Sequence, residues 1–342
     1  MNKLSLNEFL DSNSNLNFLN DIYFKSAYAR LYGEVFCFEY KENDKILKVV
    51  ANKFRIKDTE YFDIQSPYGY GGFASNTNDD LFLQNAFKVL KQRCLKEKII
   101  AFFIRFHPFD RNLKAYEKRL NFFKKDRKIS IVNTSQNAFK DYSSRMKSYI
   151  NKGKKELCIE FAKRSENKAF KELYDETMRR NNASEFYFFN EKYFENLYDF
   201  SEYLVLKASL KGEILSYASF FLNENFSYYH LSANSLKSNA NALLLDFFFN
   251  LALEKGSKFC ILGGGLKDDD TLCEYKQKFS KLYGYFYIGG LVTNEKIYKE
   301  LSKENAKFFL SYRYGGGGLI IAILQFKILL YIFIVCKILN KK

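Results

Sequence analysis

The sequence predicts an α/β protein of two tandem domains, each built on a mixed β-sheet flanked by helices. The same order of strands and helices occurs twice along the 342 residues. Meanders of successive strands must be antiparallel, whereas strand–helix–strand steps favour parallel neighbours, so each sheet should be mixed. The length suits two domains of ordinary size. We expect the first domain over residues 1–140, the second over 141–313, and a separate tail over 314–342.

The first half contains strand and helix patterns in alternation. Two runs rich in β-formers flank the turn-forming KEND and predict a hairpin. The strand candidates in chain order are GEVFCFEYK, ILKVVAN, YFDIQS, the continuous apolar run IIAFFIRF, and ISIVN. The helix candidates are LFLQNAFKVLKQRCLKEK, whose apolar residues recur at helical spacing, and NLKAYEKRLNFF.

The second half repeats this order after a basic helix and a second helix. Three strands with short turns predict a meander: YLVLKASL, ILSYASFFL and FSYYHLSA. They are followed by a helix, ALLLDFFFNLALEKG, that ends at the helix-terminating Gly256. A short apolar strand, a helix and a last strand complete the pattern: KFCILGGG, TLCEYKQKFSKLYG and YFYIGGLV.

Composition excludes several kinds of site. The two histidines, His107 and His230, rule out a His-rich metal centre. None of the six cysteines forms a CxxC pair, which argues against zinc knuckles and a disulfide framework, and for a reduced, cytoplasmic compartment. The carboxylates near residue 270 are better explained by helix capping, with Thr271 and Glu274 as a capping box, than by a metal site. We therefore expect no metal.

The net charge of +15 indicates an anionic partner or a compositional bias. A nucleotide, a coenzyme phosphate, tRNA or a membrane surface would each attract this charge. A bias towards lysine would produce the same total without any partner. The basic run over 145–155 is better explained as a solvated helix face than as a tRNA surface, because exposed aromatic residues do not interleave it.

Specific motifs carry a likeness to one family. They are SPYGYGG (66–72), RFHPF (105–109), RMKSYINKGKK (145–155), LYDETMRRNNASEFYFF (173–189), ILGGGLKDDDTLCEYKQKF (261–279) and the ending FFLSYR (308–313). In this order and spacing the chain resembles the FemAB-type branch of the GNAT acyltransferase superfamily. The resemblance implies two tandem GNAT-like domains, with the acceptor side in the first and the donor and catalytic side in the second.

The resemblance implies an acceptor site on two loops of the first domain. Ser66, Tyr68 and Tyr70 belong to SPYGYGG, whose glycines allow close backbone approach and precede a helix N-terminus that could bind an anion. Arg105 and His107 of RFHPF end a buried strand, where α/β sheets bind ligands. A tight turn and an ordinary buried histidine are the structural alternatives.

Two further acceptor contacts are implied in the second domain. The motif RRNNASEFYFF offers Arg180 and Tyr187, and the resemblance suggests that they contact the acceptor, with a phosphate as one possible group. Residue type alone is equally consistent with a solvated helix end.

The donor side is implied at the loop 234–244. GNAT enzymes hold the coenzyme A pyrophosphate on a glycine-rich loop, but this loop has no glycine. Ser238, Asn239 and Asn241 can still cap a helix and leave backbone N–H groups for an anion. Acyl-coenzyme A, such as acetyl-coenzyme A, is the expected donor, and aminoacyl-tRNA remains open.

Lys276 is the expected catalytic residue. It occupies the place of the lysine in the family's FK-x-x-F element, with Tyr275 replacing phenylalanine. A fixed cation there would stabilise the negative charge that forms on the carbonyl oxygen during acyl transfer. The alternative is a solvated lysine, as we expect for Lys278 and Lys281.

The tail after Tyr314 has three open explanations. A glycine run precedes an apolar stretch, 319–339, that is long enough to span a membrane but contains a central lysine. The tail could anchor the protein at the inner face of the cytoplasmic membrane, pack as a helix, or result from a frame-shift at a run of G nucleotides.

These features together lead us to expect an acyltransferase. It would transfer an acetyl, other acyl or aminoacyl group to an amine of an amino sugar or of a sugar-nucleotide or lipid-linked bacterial envelope precursor, as in peptidoglycan or surface polysaccharide synthesis. The alternative is a non-catalytic, membrane-attached protein that binds such an anionic precursor with the same fold.

Overall fold

The structure, a computed structural model, describes residues 19–183, 185–236, 240–265, 270–303 and 308–313. Packing divides them into two compact units. The central unit contains the described residues of 127–284, and the split unit contains those of 19–126 and 285–313. The last strand of the sequence pattern thus contributes to the split unit. The sequence-based boundary at residue 140 stays a prediction.

The elements of the first part, in chain order, are α1 (Ser26–Arg30), β1 (Val35–Glu42), β2 (Lys45–Arg55), β3 (Phe62–Gln65), β4 (Gly72–Ser75), α2 (Asp80–Lys96), β5 (Ile99–Arg105), α3 (Leu113–Glu117) and β6 (Phe122–Asn133). Those of the remainder are α4 (Ser144–Glu156), β7 (Cys158–Phe161), α5 (Asn167–Arg180), α6 (Glu191–Leu197), β8 (Tyr203–Leu210), β9 (Glu213–Phe221), β10 (Phe226–Asn234), α7 (Ala240–Glu254), β11 (Phe259–Gly264), α8 (Thr271–Gln277), β12 (Tyr283–Val292) and α9 (Glu295–Leu301).

The split unit has a mixed sheet. Strands β1 and β2 form the predicted antiparallel hairpin, and β2 also pairs antiparallel with β3 and β4. Strand β3 pairs parallel with β5, which in turn pairs antiparallel with β12. Helix α2 packs its apolar face on this sheet, and Phe82, Phe87 and Leu90 lie in the core beside Phe73 and Phe102.

The central unit has a second mixed arrangement. Strands β8 to β10 form the predicted antiparallel meander, and β7 adds to it antiparallel to β8. Strand β11 runs parallel to β10 and antiparallel to β6. Phe248 of α7 stacks on Phe220, whereas Phe170 of α5 packs on Tyr217. Because these two strand residues are three apart in β9, the two helices cover opposite faces of the sheet. The α/β class with mixed sheets is confirmed.

Two helix predictions were too long. The pattern NLKAYEKRLNFF predicts a helix through residue 123, but α3 ends at Glu117 and β6 begins at Phe122. Phe122 stacks on Phe309 and Phe123 on Tyr287, so contacts distant in sequence draw this end into the sheet. The helix that follows KFCILGGG likewise ends early, at Gln277.

The predicted capping box at Thr271 is wrong. Asp270 precedes α8 as its N-cap, and its side chain accepts a hydrogen bond of 2.8 Å from the backbone N–H of Cys273. A carboxylate at this end also opposes the positive partial charge of the helix terminus. Thr271 is already the first residue of the helix.

Helices within the described ranges are too short or too polar to cross a membrane. The glycine run and the apolar stretch 319–339 lie outside those ranges, as does the rest of the tail after Arg313.

Candidate functional site

The central unit contains an opening between two parallel strands. Pairing between β10 and β11 is confined to Phe226–Tyr228 against Phe259–Ile261, although the strands continue to Asn234 and Gly264. Both strands carry a register irregularity beyond this point. The parallel ladder between β10 and β11 therefore ends at Tyr228 and Ile261. Carboxyl ends of parallel strands are common ligand sites in α/β sheets.

Lys276 lies at the carboxyl end of β11. Its side chain is 2% exposed, and Nζ donates a hydrogen bond of 2.9 Å to the backbone oxygen of Gly264. The pKa of Lys276 is lowered to about 7, chiefly by burial and to a smaller extent by Arg127, against the opposing effects of Cys273 and Asp270. The solvated-lysine alternative therefore does not describe this residue. Near neutral pH, Nζ therefore loses its proton more readily than an exposed lysine does. The hydrogen bond to Gly264 holds Nζ at the end of the strand.

The glycines at the end of β11, Gly263 and Gly264, and Gly265 directly after it bring polar groups close to the backbone. Arg127 is buried and donates a hydrogen bond of 3.0 Å from Nη1 to the backbone oxygen of Gly265. A Cβ atom on Gly264 would stand 2.5 Å from the backbone oxygen of Lys128. Arg127 was missed in the sequence, because nothing in its surroundings, KKDRK, distinguishes it from solvated neighbours.

The donor loop is described only in part. Ser238 and Asn239 lie outside the described residues. Asn241 lies in the first turn of α7, so its predicted capping role is wrong. Its side chain is 5% exposed, and Nδ2 donates 3.0 Å to the hydroxyl of Tyr229 on β10. The buried Oδ1 atom has no hydrogen-bond partner among the described residues.

Arg180 lies at the carboxyl end of β10. Its Nη2 donates 2.6 Å to the backbone oxygen of Asn234, whose own N–H donates to Thr177 Oγ1. The Nε atom is buried without a partner in the described part of the chain. The structure thus places Arg180 and Lys276 at the ends of adjacent parallel strands. Tyr187 follows at the end of a 3-10 turn, Glu185–Tyr187, and is itself buried, with 8% of its surface exposed.

In the split unit, Ser66 and Arg105 join the two predicted acceptor loops. Arg105 Nη1 donates 2.6 Å to the backbone oxygen of Ser66, and the Ser66 hydroxyl accepts from the Arg105 backbone N–H at 3.1 Å. The guanidinium carbon of Arg105 lies 5.2 Å from the ring centre of Phe103. These contacts fix the SPYGYGG loop at the end of β5.

A layer of tyrosines supports the same loop. The hydroxyl of Tyr28 donates 2.9 Å to the backbone oxygen of Tyr68, and Tyr32 donates to that hydroxyl in turn. Tyr70 packs edge-on against Tyr23, with ring centres 5.3 Å apart. Tyr68 is half-buried, so of the two predicted loop tyrosines it is the one whose ring also meets solvent.

His107 is completely buried. It packs against Tyr70 and accepts a hydrogen bond at Nδ1 from the backbone N–H of Phe109, at 3.2 Å. Burial lowers the pKa of His107 to about 3. The ring is therefore neutral near pH 7 and supplies no charge to an anionic acceptor. His230 is likewise buried and neutral, with Nε2 2.8 Å from the hydroxyl of Tyr193.

Asp110 was missed by the sequence motifs. It follows RFHPF directly, and its Oδ1 accepts 2.8 Å from the backbone N–H of Asn112 while Oδ2 has no partner among the described residues. Burial raises the pKa of Asp110 to about 8. No local sequence pattern marks Asp110 as buried, because its burial depends on residues that are distant in sequence.

The predicted anion site at the N-terminus of α2 is wrong. Strand β4 intervenes between the SPYGYGG loop and the helix. Asp79 caps α2 with its own carboxylate, which accepts 2.7 Å from the N–H of Phe82 and pairs with Lys45. A fixed negative charge there opposes the binding of another anion.

Metal ligation has no candidate in the described ranges, where no group of three or more His, Cys, Asp or Glu side chains converges. Asp268 and Asp269 fall outside those ranges.

The Gly69 position gives a first prediction. Gly69 has φ +95°, and a Cβ atom there would stand 2.3 Å from Cε1 of Tyr23. Gly69→Ala should destabilise through backbone strain of about 1–2 kcal/mol and an overlap of about 1–3 kcal/mol. Gly212→Ala is the matched control, because Gly212 has φ +87° but a Cβ there meets no described atom within 4 Å. Equal losses of Tm in both variants would show that the tyrosine layer does not fix the loop.

These sheets and their flanking helices form a fold similar to that of FemX. FemX matches 86% of this chain over 96% of its own length, with a TM-score of 0.64 and 16% identity. The C-terminal domain of a putative lysylphosphatidylglycerol synthetase from Agrobacterium fabrum matches 80% of this chain and 90% of its own, at TM-score 0.54 and 13% identity. L-PGS from Bacillus licheniformis matches 80% of this chain over 89% of its own length, with a TM-score of 0.54 and 13% identity.

Sequence comparison adds no relative. No family model matches the chain, and no curated protein matches it. At these identities the structural likeness establishes the fold.

Proposed function

We propose that the protein is an acyltransferase that transfers an acyl group to an amine. The observation that carries the proposal is Lys276: a fully buried lysine at the carboxyl end of β11, where its parallel pairing with β10 has ended. Burying a lysine costs free energy, and buried titratable groups with strongly shifted pKa values cluster at functional sites. In an acyl-transfer site its N–H groups would face the oxygen that becomes negative in the transition state.

The chemistry balances without an additional reactant. The lone pair of the acceptor amine attacks the carbonyl carbon, a C–N bond forms, and the C–S bond of a thioester donor breaks. The proton lost by the amine goes to the leaving thiolate. Lys276 donates a hydrogen bond to the carbonyl oxygen while the negative charge is present. Holding donor and acceptor in this geometry supplies much of the rate.

The donor that we favour is acyl-coenzyme A. Asn241 supports this choice, because its unpartnered Oδ1 beside Tyr229 can accept from an amide N–H of the donor. Ser238 and Asn239 remain proposed donor contacts. Aminoacyl-tRNA is the second candidate. Tyr149 on α4 favours this donor, because it is 38% exposed and accepts a hydrogen bond from Arg145. An exposed aromatic residue in this basic run was not expected from the sequence.

The acceptor that we propose is an amino sugar or an anionic envelope precursor that carries an amine. Arg180 would contact a phosphate or carboxylate of this molecule, since planar guanidinium groups suit both. Tyr187 would support that contact. In the split unit, Ser66, Tyr68, Tyr70, Arg105 and His107 stay proposed acceptor residues, with Tyr68 and Arg105 as the direct contacts and His107 as packing beneath Tyr70.

Donor binding and product formation distinguish the proposed acyltransferase from the non-catalytic binding protein. Acetyl-coenzyme A should raise the Tm of the wild type, and Asn241→Leu should reduce that rise. Mass spectrometry should then detect acylation in a panel of amino sugars and amino-sugar nucleotides. A Tm rise with a sugar nucleotide alone, together with no acylated product from either donor, would favour the non-catalytic alternative.

The same experiment separates the two donors. Aminoacyl-tRNA binding through phosphates should weaken steeply with salt, whereas coenzyme A binding should change far less. Arg145→Ala should affect the tRNA response alone.

A further inference from the structure

Helix α2 presents an unusual surface to solvent. Leu81 is 65% exposed, Val89 38% and Leu95 49%, which makes them three of the large exposed aliphatic side chains of the described chain. With about 100° of rotation per residue, these three positions fall within a sector of roughly 120° on the helix. They occupy one face, which we call the outer face of α2.

The opposite face of the helix is already used. The side chains that point inwards are buried in the split-unit core: Phe82, Leu83, Ala86, Phe87, Leu90 and Cys94. The fold therefore does not need the aliphatic side chains on the outer face.

The outer face is positively charged as well as apolar. Lys88 and Lys96 fall in the same sector, and Lys91 lies about 40° beyond its edge. None of these three lysines forms an ion pair with a described residue. That sector contains no Asp or Glu. The nearest carboxylates are Asp80 in the first turn of the helix and Glu97 just after its end. Both lie outside the sector and form ion pairs, Asp80 with Arg119 and Glu97 with Arg93.

We propose that the outer face of α2 docks on an anionic lipid bilayer. Aliphatic side chains set among lysines match this surface, because the alkyl groups enter the acyl boundary while the lysine stems extend to the headgroup phosphates. Each lysine near an anionic leaflet adds attraction that falls within a Debye length. The proposal does not depend on the enzymatic activity.

Other partners fit this face less well. Cores of protein interfaces are depleted in lysine, whereas here lysines separate the aliphatic residues. Single-stranded nucleic acid is bound through aromatic platforms, and the outer face has no aromatic side chain. A second copy of this chain would bring the same positive charge against itself.

A single tryptophan can report the docking directly, because the chain contains none. In Leu95→Trp, emission should shift to the blue with vesicles of phosphatidylcholine containing about 30% phosphatidylglycerol, and brominated lipid should quench it. Leu210→Trp is the control, since Leu210 is a 38% exposed aliphatic residue of β8 in the central unit. Its emission should not change.

Charge variants test the lysines. Lys88→Glu with Lys96→Glu should weaken the binding of the full chain to these vesicles by about tenfold or more, with the effect fading at high salt. Lys152→Glu with Lys155→Glu on α4 makes the same charge change elsewhere and should leave binding nearly unchanged.

Three outcomes would overturn the proposal. One is the absence of an emission shift in Leu95→Trp with anionic vesicles. Another is an equal shift in Leu210→Trp, which would mean attachment by another part of the chain. The third is a concentration-dependent shift without lipid, which would identify a second copy as the partner.

Discussion

Replacing Lys276 with methionine should lower the rate of acyl transfer by about 10²–10³-fold, the usual effect of removing one oxyanion donor. Methionine keeps the length and the apolar stem of the side chain, so packing beneath α8 is preserved. The loss should appear in kcat, since the interaction is made only as the carbonyl oxygen becomes negative. Steady-state rates with the acceptor found in the amine panel measure it.

Lys278→Met is the control for this prediction. Lys278 is only partly buried and lies two residues further along the chain, just after α8, so the loss of its charge should change the rate little. If both variants lost the same activity, a general effect of positive charge would explain the result better than a specific contact.

The pH dependence of stability follows from the same residue. An unfolded lysine has a pKa near about 10.4, whereas burial lowers the pKa of Lys276 to about 7 in the folded protein. Between these values the unfolded chain binds the proton that the folded chain lacks. The free energy of unfolding should therefore rise with pH across this window, relative to that of Lys276→Met.

Arg313→Met should be the most destabilising of these substitutions. Arg313 Nε donates 2.6 Å to Oδ2 of Asp63, which is completely buried on β3, and Nη2 donates 3.2 Å to the backbone oxygen of Phe54. Without the guanidinium, a buried carboxylate loses its charged partner, which costs about 3–5 kcal/mol. Thermal unfolding should show a Tm lower by roughly 10 °C.

Two further variants separate the charge from the packing. Arg313→Lys retains the positive charge and should recover part of the lost Tm. Arg313→Met combined with Asp63→Asn removes both charges and should be more stable than Arg313→Met alone. If the double variant were less stable than the single one, the cost would not arise from an unpaired Asp63 carboxylate.

This ion pair explains why the ending FFLSYR is informative in the sequence. Phe309 stacks on Phe122, Leu310 is buried, and Arg313 reaches β3. Each residue makes a contact more than 150 positions away or lies in the core. The motif could be noticed from resemblance, but its partners, Phe122 and Asp63, could not be named without the fold.

The sequence patterns predicted those elements that form through contacts between residues close in sequence. The β1–β2 hairpin and the meander of β8 to β10 follow from short turns between alternating or apolar runs. Strand β4 and the early start of β6 were not predicted, because Phe73 and Phe122 are placed by contacts distant in sequence.

The candidate site was predictable to a similar degree. Resemblance selected Lys276 and Arg180, and the fold places them at the ends of neighbouring parallel strands. Asp110 and Arg127 escaped notice, since only burial distinguishes them from ordinary charged residues. His107 was selected because RFHPF ends a buried strand, yet it is a buried, neutral residue.

One measurement tests the central claim most directly: the affinity for acetyl-coenzyme A and the single-turnover rate of acyl transfer, determined together for the wild type and Lys276→Met. If Lys276 acts on the carbonyl oxygen in the transition state, the rate should fall by about 10²–10³-fold while the Kd of the donor changes by less than about threefold. An unchanged rate, or a loss accounted for entirely by weaker donor binding, would contradict the proposed role.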